Sequence, residues 1–407
     1  MCRIQTQVEE HVVAIPRRTF PTGGLVEPDD LVDREAILDE LLTRTFEHGN
    51  SVVVSGPRQI GKSSVAEELK RRVRKAGGWG IYMDFSAVTG DERELAAFVA
   101  RATYDQAAGS IGAFTRLRDF ISGVPKPVFY QSDLDLAVMF HGSQQQPASA
   151  LIEGAFGLAD TLAAQKGKRA VVVFDEFQEL RKISPQIFSR VRAVLQHHMT
   201  HTAYVFMGSD VGMLNAMFRD PRKMPFGLAV SINFGLPTPD AWRAYIEGRF
   251  AKLGVSLRPG EADELISFTG GHPRDLMEAC EHLLTLRSLN READGAVKLA
   301  EEKTLNSLRV KFDELWRRLE QPAGTQTTAG RIANGQPIYG RGRPQKSVSR
   351  TIEKLGREGI VRRVGRGAYE FTEPLFARYI RELTSPWAVP TGEQKALIPR
   401  FSSRATA

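Results

Sequence analysis

The stretch that decides the fold is Val52-Val-Val-Ser-Gly56-Pro-Arg-Gln-Ile-Gly61-Lys62-Ser63. Its first residues form an apolar β-strand pattern, its last residues open a helical pattern, and the turn between them fits G-x-x-x-x-G-K-S/T at every fixed position. Glycine lets the backbone curl until successive N–H groups point inward, and the helix N-terminus adds about half a positive charge at the same place. The sequence therefore predicts a cradle for the phosphate oxygens of a nucleotide.

Two side chains of this loop predict the chemistry of the nucleotide site. Lys62 can reach the β- and γ-phosphates of ATP, and the Ser63 hydroxyl can coordinate Mg²⁺. ATP and Mg²⁺ are therefore the expected cofactors. The loop residues expected to bind the nucleotide are Gly56, Pro57, Arg58, Gln59, Ile60, Gly61, Lys62, Ser63 and Ser64.

An acidic element follows the most strand-like run of the chain, residues 170–174. Asp175 is expected to hold Mg²⁺, usually through water, and Glu176 to polarise the water that attacks the γ-phosphate. A further strand at 203–207 ends close to Ser209. Ser209 is expected either to face the γ-phosphate or to precede a capped helix, and the sequence supports both interpretations equally.

Short apolar runs separated by helical patterns predict an α/β fold with a doubly wound parallel sheet that is buried on both faces. Beyond residue 238 the strand patterns stop, and helical patterns predict a small α-helical lid. A Gly/Thr-rich stretch at 322–330 is expected to be a linker. The expected segments are an irregular arm at 1–30, a core at 31–238, the lid with a connecting helix at 239–320, a basic domain at 321–383 and a flexible tail at 384–407.

Composition and charge limit the classes of function. Hydrophobic residues make up 42% and charged residues 25%, which excludes wholesale disorder, and two cysteines are too few for a disulfide framework. No apolar run approaches the ~18–20 residues of a membrane span, so a cytoplasmic protein without a membrane partner is expected. Residues 321–407 hold 15 Lys/Arg against 6 Asp/Glu, a net +9, and the rest of the chain is at −2. This surplus is typical of a nucleic-acid-binding surface, although a solvated basic face has the same composition.

The basic surplus coincides with a helix followed by a hairpin. The helix, at 345–358, has Val348, Ile352 and Leu355 on one face, and a glycine-rich basic turn at 362–367 joins two short strands. This order predicts a winged helix-turn-helix, whose helix enters the DNA major groove and whose wing contacts phosphates. The candidate nucleic-acid contacts are Lys346, Ser349, Arg350, Arg357, Arg362, Arg363 and Arg366. Winged helices also dock proteins, so double-stranded DNA, a protein partner and a second copy of the chain are all candidate partners.

In the order of its motifs the chain resembles the archaeal-type ATPase family within the AAA+/STAND branch of P-loop NTPases. The resemblance covers residues 31–383. The motifs that carry it are Leu31-Val-Asp-Arg34-Glu35, the phosphate loop, Phe174-Asp-Glu-Phe-Gln178, Met207-Gly-Ser209, Gly271-His-Pro273 and the winged-helix-like segment. The resemblance implies that Val32 and Arg34 lie near the adenine, that Pro273 packs on it, and that Arg274 approaches phosphate. Proline in the first turn of a helix also has a purely structural explanation.

The chain departs from the family at one place. The family commonly has an arginine just after a Pro-aromatic-Gly turn, whereas Leu228 follows Pro225-Phe226-Gly227 here. Arg219 or Arg222 is the candidate replacement, as a cation that completes a neighbour's active site and stabilises transition-state charge. The alternative is that both are surface arginines and that the contact is missing.

These features predict a Mg²⁺-dependent ATP hydrolase that acts as a nucleotide-driven switch on a winged-helix domain, with DNA as the first candidate partner. The residues expected to be catalytic are Glu176, Lys62, Ser209, Arg219 and Arg222. The alternative function is a STAND-type signalling scaffold that hydrolyses little or no ATP and whose winged helix docks a protein.

Overall fold

The structure is a computed structural model that describes residues 19–107, 147–209, 214, 230–289, 295–339, 345–365 and 367–384. Arg219, Arg222 and Arg366 lie outside these residues. So do the Pro225-Phe226-Gly227 turn, the helix expected after residue 209 apart from position 214, most of the N-terminal arm and nearly all of the C-terminal tail.

Five strands form the central sheet: β1 (Val52–Ser55), β2 (Trp79–Asp84), β3 (Ala170–Asp175), β4 (Thr202–Gly208) and β5 (Val230–Asn233). They lie in the order β2-β3-β4-β1-β5, and every neighbouring pair is parallel. All residues of β1, β3 and β4 are buried, which is why these strands read as continuous apolar runs. The carboxyl ends of these three strands meet at one edge of the sheet, where a ligand crevice is expected.

Helices cover both faces of the sheet. One face carries α1 (Glu35–Leu42) and α2 (Lys62–Lys75), and the other carries α3 (Glu92–Ala107), α4 (Ala148–Lys166) and α5 (Ile187–Leu195). Successive residues of a strand point to opposite faces of the sheet. Val52 and Val54 pack in the cluster with α1 and α2, and Val53 packs in the cluster with α3, α4 and α5. In the part of the chain that the structure describes, no helix combines the length and the apolarity needed to cross a membrane.

The lid is a separate helical cluster. It contains α6 (Pro239–Lys252), α7 (Glu261–Thr269), α8 (Pro273–Ser288) and the first turns of α9 (Ala296–Arg318). Phe20, from the segment expected to be an irregular arm, is fully buried in this cluster, with its ring centroid 5.3 Å from that of Phe250. The described end of the arm is therefore packed onto the lid.

The C-terminal part has the order of a winged helix. It contains α10 (Thr325–Ala333), α11 (Gln345–Arg357), β6 (Val361–Gly365), β7 (Ala368–Phe371) and α12 (Pro374–Thr384), and β6 pairs antiparallel with β7. Its core joins Leu355 and Phe376 to Phe312 and Trp316 of α9. The predicted fold class, a doubly wound parallel-sheet P-loop core with a helical lid and a C-terminal winged-helix domain, is confirmed.

The structure differs from the sequence prediction at the stretch expected to be a linker. Residues 322–330 contain most of α10, whose Thr325, Thr328 and Gly330 are buried. The Gln326 amide donates to the Trp316 carbonyl at 2.8 Å and ties this helix to the end of α9. Small residues here permit close packing, so tertiary contacts override the weak helix propensity of Thr and Gly.

Candidate active site

The phosphate loop between β1 and α2 has the backbone that its glycines allow. A Cβ on Gly56 would lie 2.8 Å from the Phe234 carbonyl oxygen, so this position has no room for a side chain. Gly61 has φ +94°, and Gln59 adopts φ +59° although it is not glycine. A left-handed backbone at a non-glycine residue is uncommon and is found where the surroundings hold it in place.

Lys62 begins α2 and its ammonium lies inside the loop. Its Nζ donates to the Gly56 carbonyl at 2.9 Å and to the Pro57 carbonyl at 2.5 Å. Burial lowers the pKa of Lys62 to about 8, although the negative charges of Glu176 and Asp175 act in the opposite direction. The loop therefore presents a desolvated cation, which an approaching phosphate would stabilise in its charged form.

The two residues predicted to hold Mg²⁺ are brought together. The Ser63 hydroxyl donates to Asp175 Oδ2 at 2.6 Å, which joins the start of α2 to the end of β3. Tyr82 on β2 also donates to this oxygen, at 2.8 Å. A hydroxyl and a carboxylate beside a phosphate loop are ligands that suit Mg²⁺, which is usually bound by one or two carboxylates plus phosphate oxygens and water. The pair therefore fits the predicted metal.

Glu176 is held by neutral donors at the end of β3. It adopts φ +47°, and its Oε2 accepts the Ser209 hydroxyl at 2.9 Å and a bond from the Gln178 amide. Ser209 also accepts Arg58 Nε of the phosphate loop at 3.2 Å. Ser209 thus lies between Glu176 and Arg58 of the phosphate loop, and both interpretations of this residue stay predictions.

A cavity of about 980 Å³ opens beside the loop and contains most of the predicted nucleotide contacts. Among its lining residues are Val32, Arg34, Arg58, Gln59, Ile60, Gly61, Lys62, Ser63, Ser64, Asp175, Glu176, Pro273 and Arg274. Residues 21–26 of the N-terminal arm also line it, and the Val26 N–H donates to the Ser64 hydroxyl at 3.3 Å. The arm is therefore part of the wall of this cleft, which its composition did not predict.

Arg34 stabilises the backbone of the phosphate loop. Its Nη2 donates to the Ile60 carbonyl at 3.1 Å, and its guanidinium lies 4.2 Å from the centroid of the Phe234 ring. Burial lowers the pKa of Arg34 to about 10, while the charge of Asp33 acts to raise it. Arg34 thus lines the cleft and also stabilises the curved backbone of the phosphate loop.

The lid contributes a cation at the start of α8. Arg274 Nη1 donates to Gln59 Oε1 at 2.7 Å, and its Nε donates to Asp275 at 2.7 Å. Asp275 is fully buried; burial alone would raise its pKa, but His272 and Arg274 hold that pKa below its ordinary value. Asp275 therefore stays ionised and fixes Arg274 against the phosphate loop, beside Pro273.

The predicted nucleic-acid contacts divide into two groups. Lys346 and Arg350 are exposed on α11, and Ser349 between them is half-buried. Arg357, Arg362 and Arg363 are also exposed, but they line a second cavity, of about 1290 Å³, between the hairpin and the phosphate-loop side of the core. The structure therefore brings three of these residues close to the nucleotide cleft and leaves the others on the outer part of the helix.

Sequence reasoning missed several residues of the site. Tyr82, Gln178, Lys311 and Glu373 all bond to residues of the predicted nucleotide site. Only Gln178 lies inside a motif that the sequence singled out, as the last residue of Phe174-Asp-Glu-Phe-Gln178. The other three come from a neighbouring strand, the connecting helix and the winged helix, so no local signal marks them.

Comparisons with known proteins agree with this geometry. The AAA ATPase domain family matches residues 31–203, which contain the phosphate loop and both acidic residues. No curated relative matches the chain. A Walker-type ATPase of Pyrococcus abyssi is 18% identical, with a TM-score of 0.64 over 89% of this chain and 99% of that chain. The ORC2 protein of Aeropyrum pernix, solved in ADPNP-ADP complexes, is 15% identical, with a TM-score of 0.51 over 90% of this chain and 96% of that chain.

At these identities the two structures agree with this chain in fold. The family match goes beyond the fold, because the matched range contains the phosphate loop between β1 and α2 and the acidic end of β3. Residues 31–203 are thus similar to an AAA ATPase domain, and the chain as a whole shares its fold with the Pyrococcus abyssi ATPase.

Proposed function

We propose that this protein binds ATP with Mg²⁺, hydrolyses it at the β–γ bond, and uses the nucleotide state to control its winged helix. The observation that carries the proposal is the 2.6 Å contact of the Ser63 hydroxyl with Asp175, directly beside Lys62. The adenine nucleotides bound to the Aeropyrum pernix ORC2 protein, which shares the fold, support ATP as the ligand. The cytoplasm, which supplies ATP and Mg²⁺, is the compartment that fits this activity.

In the proposed mechanism each residue has one task. Lys62 leaves its loop carbonyls and pairs with the β- and γ-phosphates, while backbone N–H groups of the loop hold the remaining oxygens. Ser63 and Asp175 would hold Mg²⁺, which neutralises charge on the phosphates. Glu176 accepts a proton from the attacking water. Because Ser209 and Gln178 both donate to Oε2 of Glu176, they orient this base, and Oε1 is the oxygen that would accept the proton.

ATP binding and turnover of three variants test the proposal. Lys62→Ala is expected to abolish ATP binding, because the loop loses its only lysine. Glu176→Gln is expected to bind ATP and to lose about 10²- to 10⁴-fold in turnover, the contribution of a general base. Lys75→Ala, an exposed lysine at the other end of α2, is the control and should behave as wild type. Undiminished turnover in both site variants would refute the assignment.

The alternative is a scaffold that binds ATP, hydrolyses little of it and docks a protein. The bonds from Ser209 and Gln178 to Glu176 favour this alternative, since they occupy one of the two oxygens of the base. Slow turnover that Glu176→Gln does not reduce, together with ATP-dependent capture of a protein partner, would support the scaffold. Salt-dependent binding of duplex DNA would support the first function.

A further inference from the structure

A carboxylate of the winged helix lies at the nucleotide cleft. Glu373, at the junction between β7 and α12, accepts Lys311 Nζ of α9 at 2.7 Å. Its Oε2 is also 3.6 Å from Arg274 Nη2 of the lid. One acidic group of the C-terminal domain therefore faces two cations from two other elements.

The same two cations reach into the phosphate loop. Arg274 Nη1 and Lys311 Nζ both donate to Gln59 Oε1, at 2.7 Å and 3.0 Å. All four side chains line the cavity of about 980 Å³ that contains Lys62 and Ser63. The cations are thus next to the loop that the proposed function assigns to phosphate binding, and Glu373 is on their other side.

Because these charged groups are partly buried, their electrostatic interaction is stronger than that of exposed ion pairs. The side chains of Arg274, Glu373 and Lys311 are 12%, 16% and 33% exposed. Charges that are screened this little interact strongly, so a group that neutralises the two cations changes their attraction for phosphate. Asp275 already pairs with Arg274 from within the lid, which leaves Lys311 dependent mainly on Glu373 among the charges that the structure describes near it.

Glu373 cannot move independently of the winged helix. Pro374 follows it and opens α12, and a Cβ on Gly270 of the lid would lie 2.7 Å from Pro374 Cγ. Phe376, one turn further on, packs its ring against Phe312 with centroids 5.3 Å apart. Glu373 therefore moves together with the winged helix when the winged helix moves relative to the lid.

We propose that Glu373 occupies the place of nucleotide phosphate oxygens on Arg274 and Lys311, so that phosphate and the winged helix compete for the same two cations. Lys311 is then a further phosphate-binding residue, and Glu373 is an acidic latch that nucleotide releases. The inference rests on the proposed function, since it assigns the regulation of that same site. By linkage, the factor by which the closed latch weakens nucleotide binding equals the factor by which bound nucleotide weakens the latch.

ATP affinity of the full chain tests the latch. Glu373→Gln is expected to bind ATP about tenfold more tightly, within the range of typical coupling between sites. Glu370→Gln removes the same charge from the exposed hairpin, where Glu370 pairs with Arg362 at 3.3 Å, and should leave ATP affinity unchanged. Lys311→Gln should weaken binding, and the effect of Glu373→Gln should shrink in that background because the two residues act as a pair.

Hydrogen exchange gives an independent reading of the same competition. The N–H groups of Phe376 and Ala377 donate to the Glu373 carbonyl at the start of α12. Saturating ATP is expected to speed exchange of these amides in wild type, and Glu373→Gln should show faster exchange without nucleotide. A Glu373 with a purely structural role predicts unchanged or weaker ATP binding in Glu373→Gln.

Three results would overturn the inference. They are unchanged or weaker ATP binding by Glu373→Gln, equal effects of Glu373→Gln and Glu370→Gln, and exchange at Phe376 that ATP leaves unchanged. Each of these presupposes that wild type binds ATP. A wild-type protein without affinity for ATP would instead refute the proposed function, and the latch would fall with it.

Discussion

Lys62 gives a prediction at the scale of one residue. Burial lowers its pKa from 10.5 to about 8, so between these values the unfolded chain holds a proton that the folded, nucleotide-free protein lacks. The contribution of Lys62 to stability therefore rises as the pH rises from 8 towards 10.5. Phosphate reverses this shift because it favours the charged ammonium.

ATP binding near pH 8 is therefore expected to take up about half a proton, since half of the Lys62 side chains are neutral at their pKa. Titration calorimetry in buffers of different ionisation enthalpy measures this uptake. ATP affinity should fall as the pH is raised above 8, and Lys75→Ala should follow the wild-type profile. A binding enthalpy that is the same in every buffer at pH 8 would contradict the expected uptake.

Tyr82 gives a second prediction at this scale. Burial first, and then the charge of Asp175, raise the pKa of Tyr82, so its hydroxyl remains a donor to the carboxylate predicted to hold Mg²⁺. Tyr82→Phe is expected to raise the Mg²⁺ concentration needed for turnover by about tenfold, the lower end for partners of metal ligands. The measurement is turnover against Mg²⁺ at saturating ATP.

Tyr204→Phe is the matched control for that experiment. Its hydroxyl donates to the His198 carbonyl at 2.7 Å, is buried and lies away from Asp175. Both variants lose one hydrogen bond, worth about 1 kcal/mol of stability. If the Mg²⁺ dependence shifts equally in both, Tyr82 has no special role in positioning Asp175.

These residues show what the sequence predicted at the site and what it missed. The phosphate loop is contiguous, so its motif alone predicted that Gly56, Lys62 and Ser63 lie in the turn between β1 and α2 and at the start of α2. Asp175 follows directly from the apolar run before it. Tyr82 reaches Asp175 only because β2 is the neighbour of β3 in the sheet, with Asp84 opposite Asp175 in register. Strand order is a property of the folded sheet that the local pattern does not encode.

At the scale of elements, the turn between α7 and α8 gives a prediction about stability. Gly270 has φ +62°, and a Cβ there would lie 2.7 Å from Pro374 Cγ of the winged helix. Gly254, after α6, has φ +70° with nothing within 4 Å of its added Cβ. The two glycines therefore share the backbone conformation and differ in the space around them.

Gly254→Ala is expected to cost about 1–2 kcal/mol, the penalty of a left-handed backbone for alanine. Gly270→Ala is expected to cost about 1–3 kcal/mol more, because the methyl group overpacks the contact between lid and winged helix. Urea denaturation measures both. Equal costs for the two variants would mean that the winged helix is not packed on this turn.

Element prediction worked where one face of an element is apolar. The helix at 345–358 was predicted from Val348, Ile352 and Leu355, and all three are buried in α11. It failed for α10, where Thr and Gly dominate and no apolar face is visible in the sequence. This helix is held by its packing against α9 and α12, and a Cβ added at Gly330 would lie 3.6 Å from Thr384 Cγ2.

At the scale of the whole molecule, the winged helix could be predicted but its docking could not. Its charge and its helix-hairpin order are local features of residues 321–383. The docking depends on pairs such as Lys311 with Glu373, which are 62 positions apart, and on close approaches such as that of Gly359, where an added Cβ would lie 3.2 Å from the Ser209 carbonyl oxygen. Such pairs cannot be recognised from a single sequence, because each partner alone resembles an ordinary surface charge or turn glycine.

This docking gives the last prediction, which concerns DNA. Arg357, Arg362 and Arg363 are exposed to solvent but line a cavity whose other wall is the core, so we expect the docked winged helix to leave a duplex less room at these residues than at Lys346 and Arg350. Duplex binding is therefore expected to be weak without nucleotide and stronger with ATP, and Lys62→Ala should lose the ATP effect while it keeps the weak binding. A salt titration measures the number of phosphates contacted.

Each phosphate contact contributes about 0.9 to the slope of log affinity against log salt. Lys346→Gln and Arg350→Gln, on the exposed part of α11, are expected to reduce the slope by about 0.9 each with or without ATP. Arg363→Gln should reduce it more when ATP is present, since the core then no longer restricts the approach of a duplex to Arg363. Lys75→Gln, on the core, should leave the slope unchanged. Equal losses for Arg363→Gln with and without ATP would refute this restriction by the core. No duplex binding at low salt would leave a protein as the partner of the winged helix.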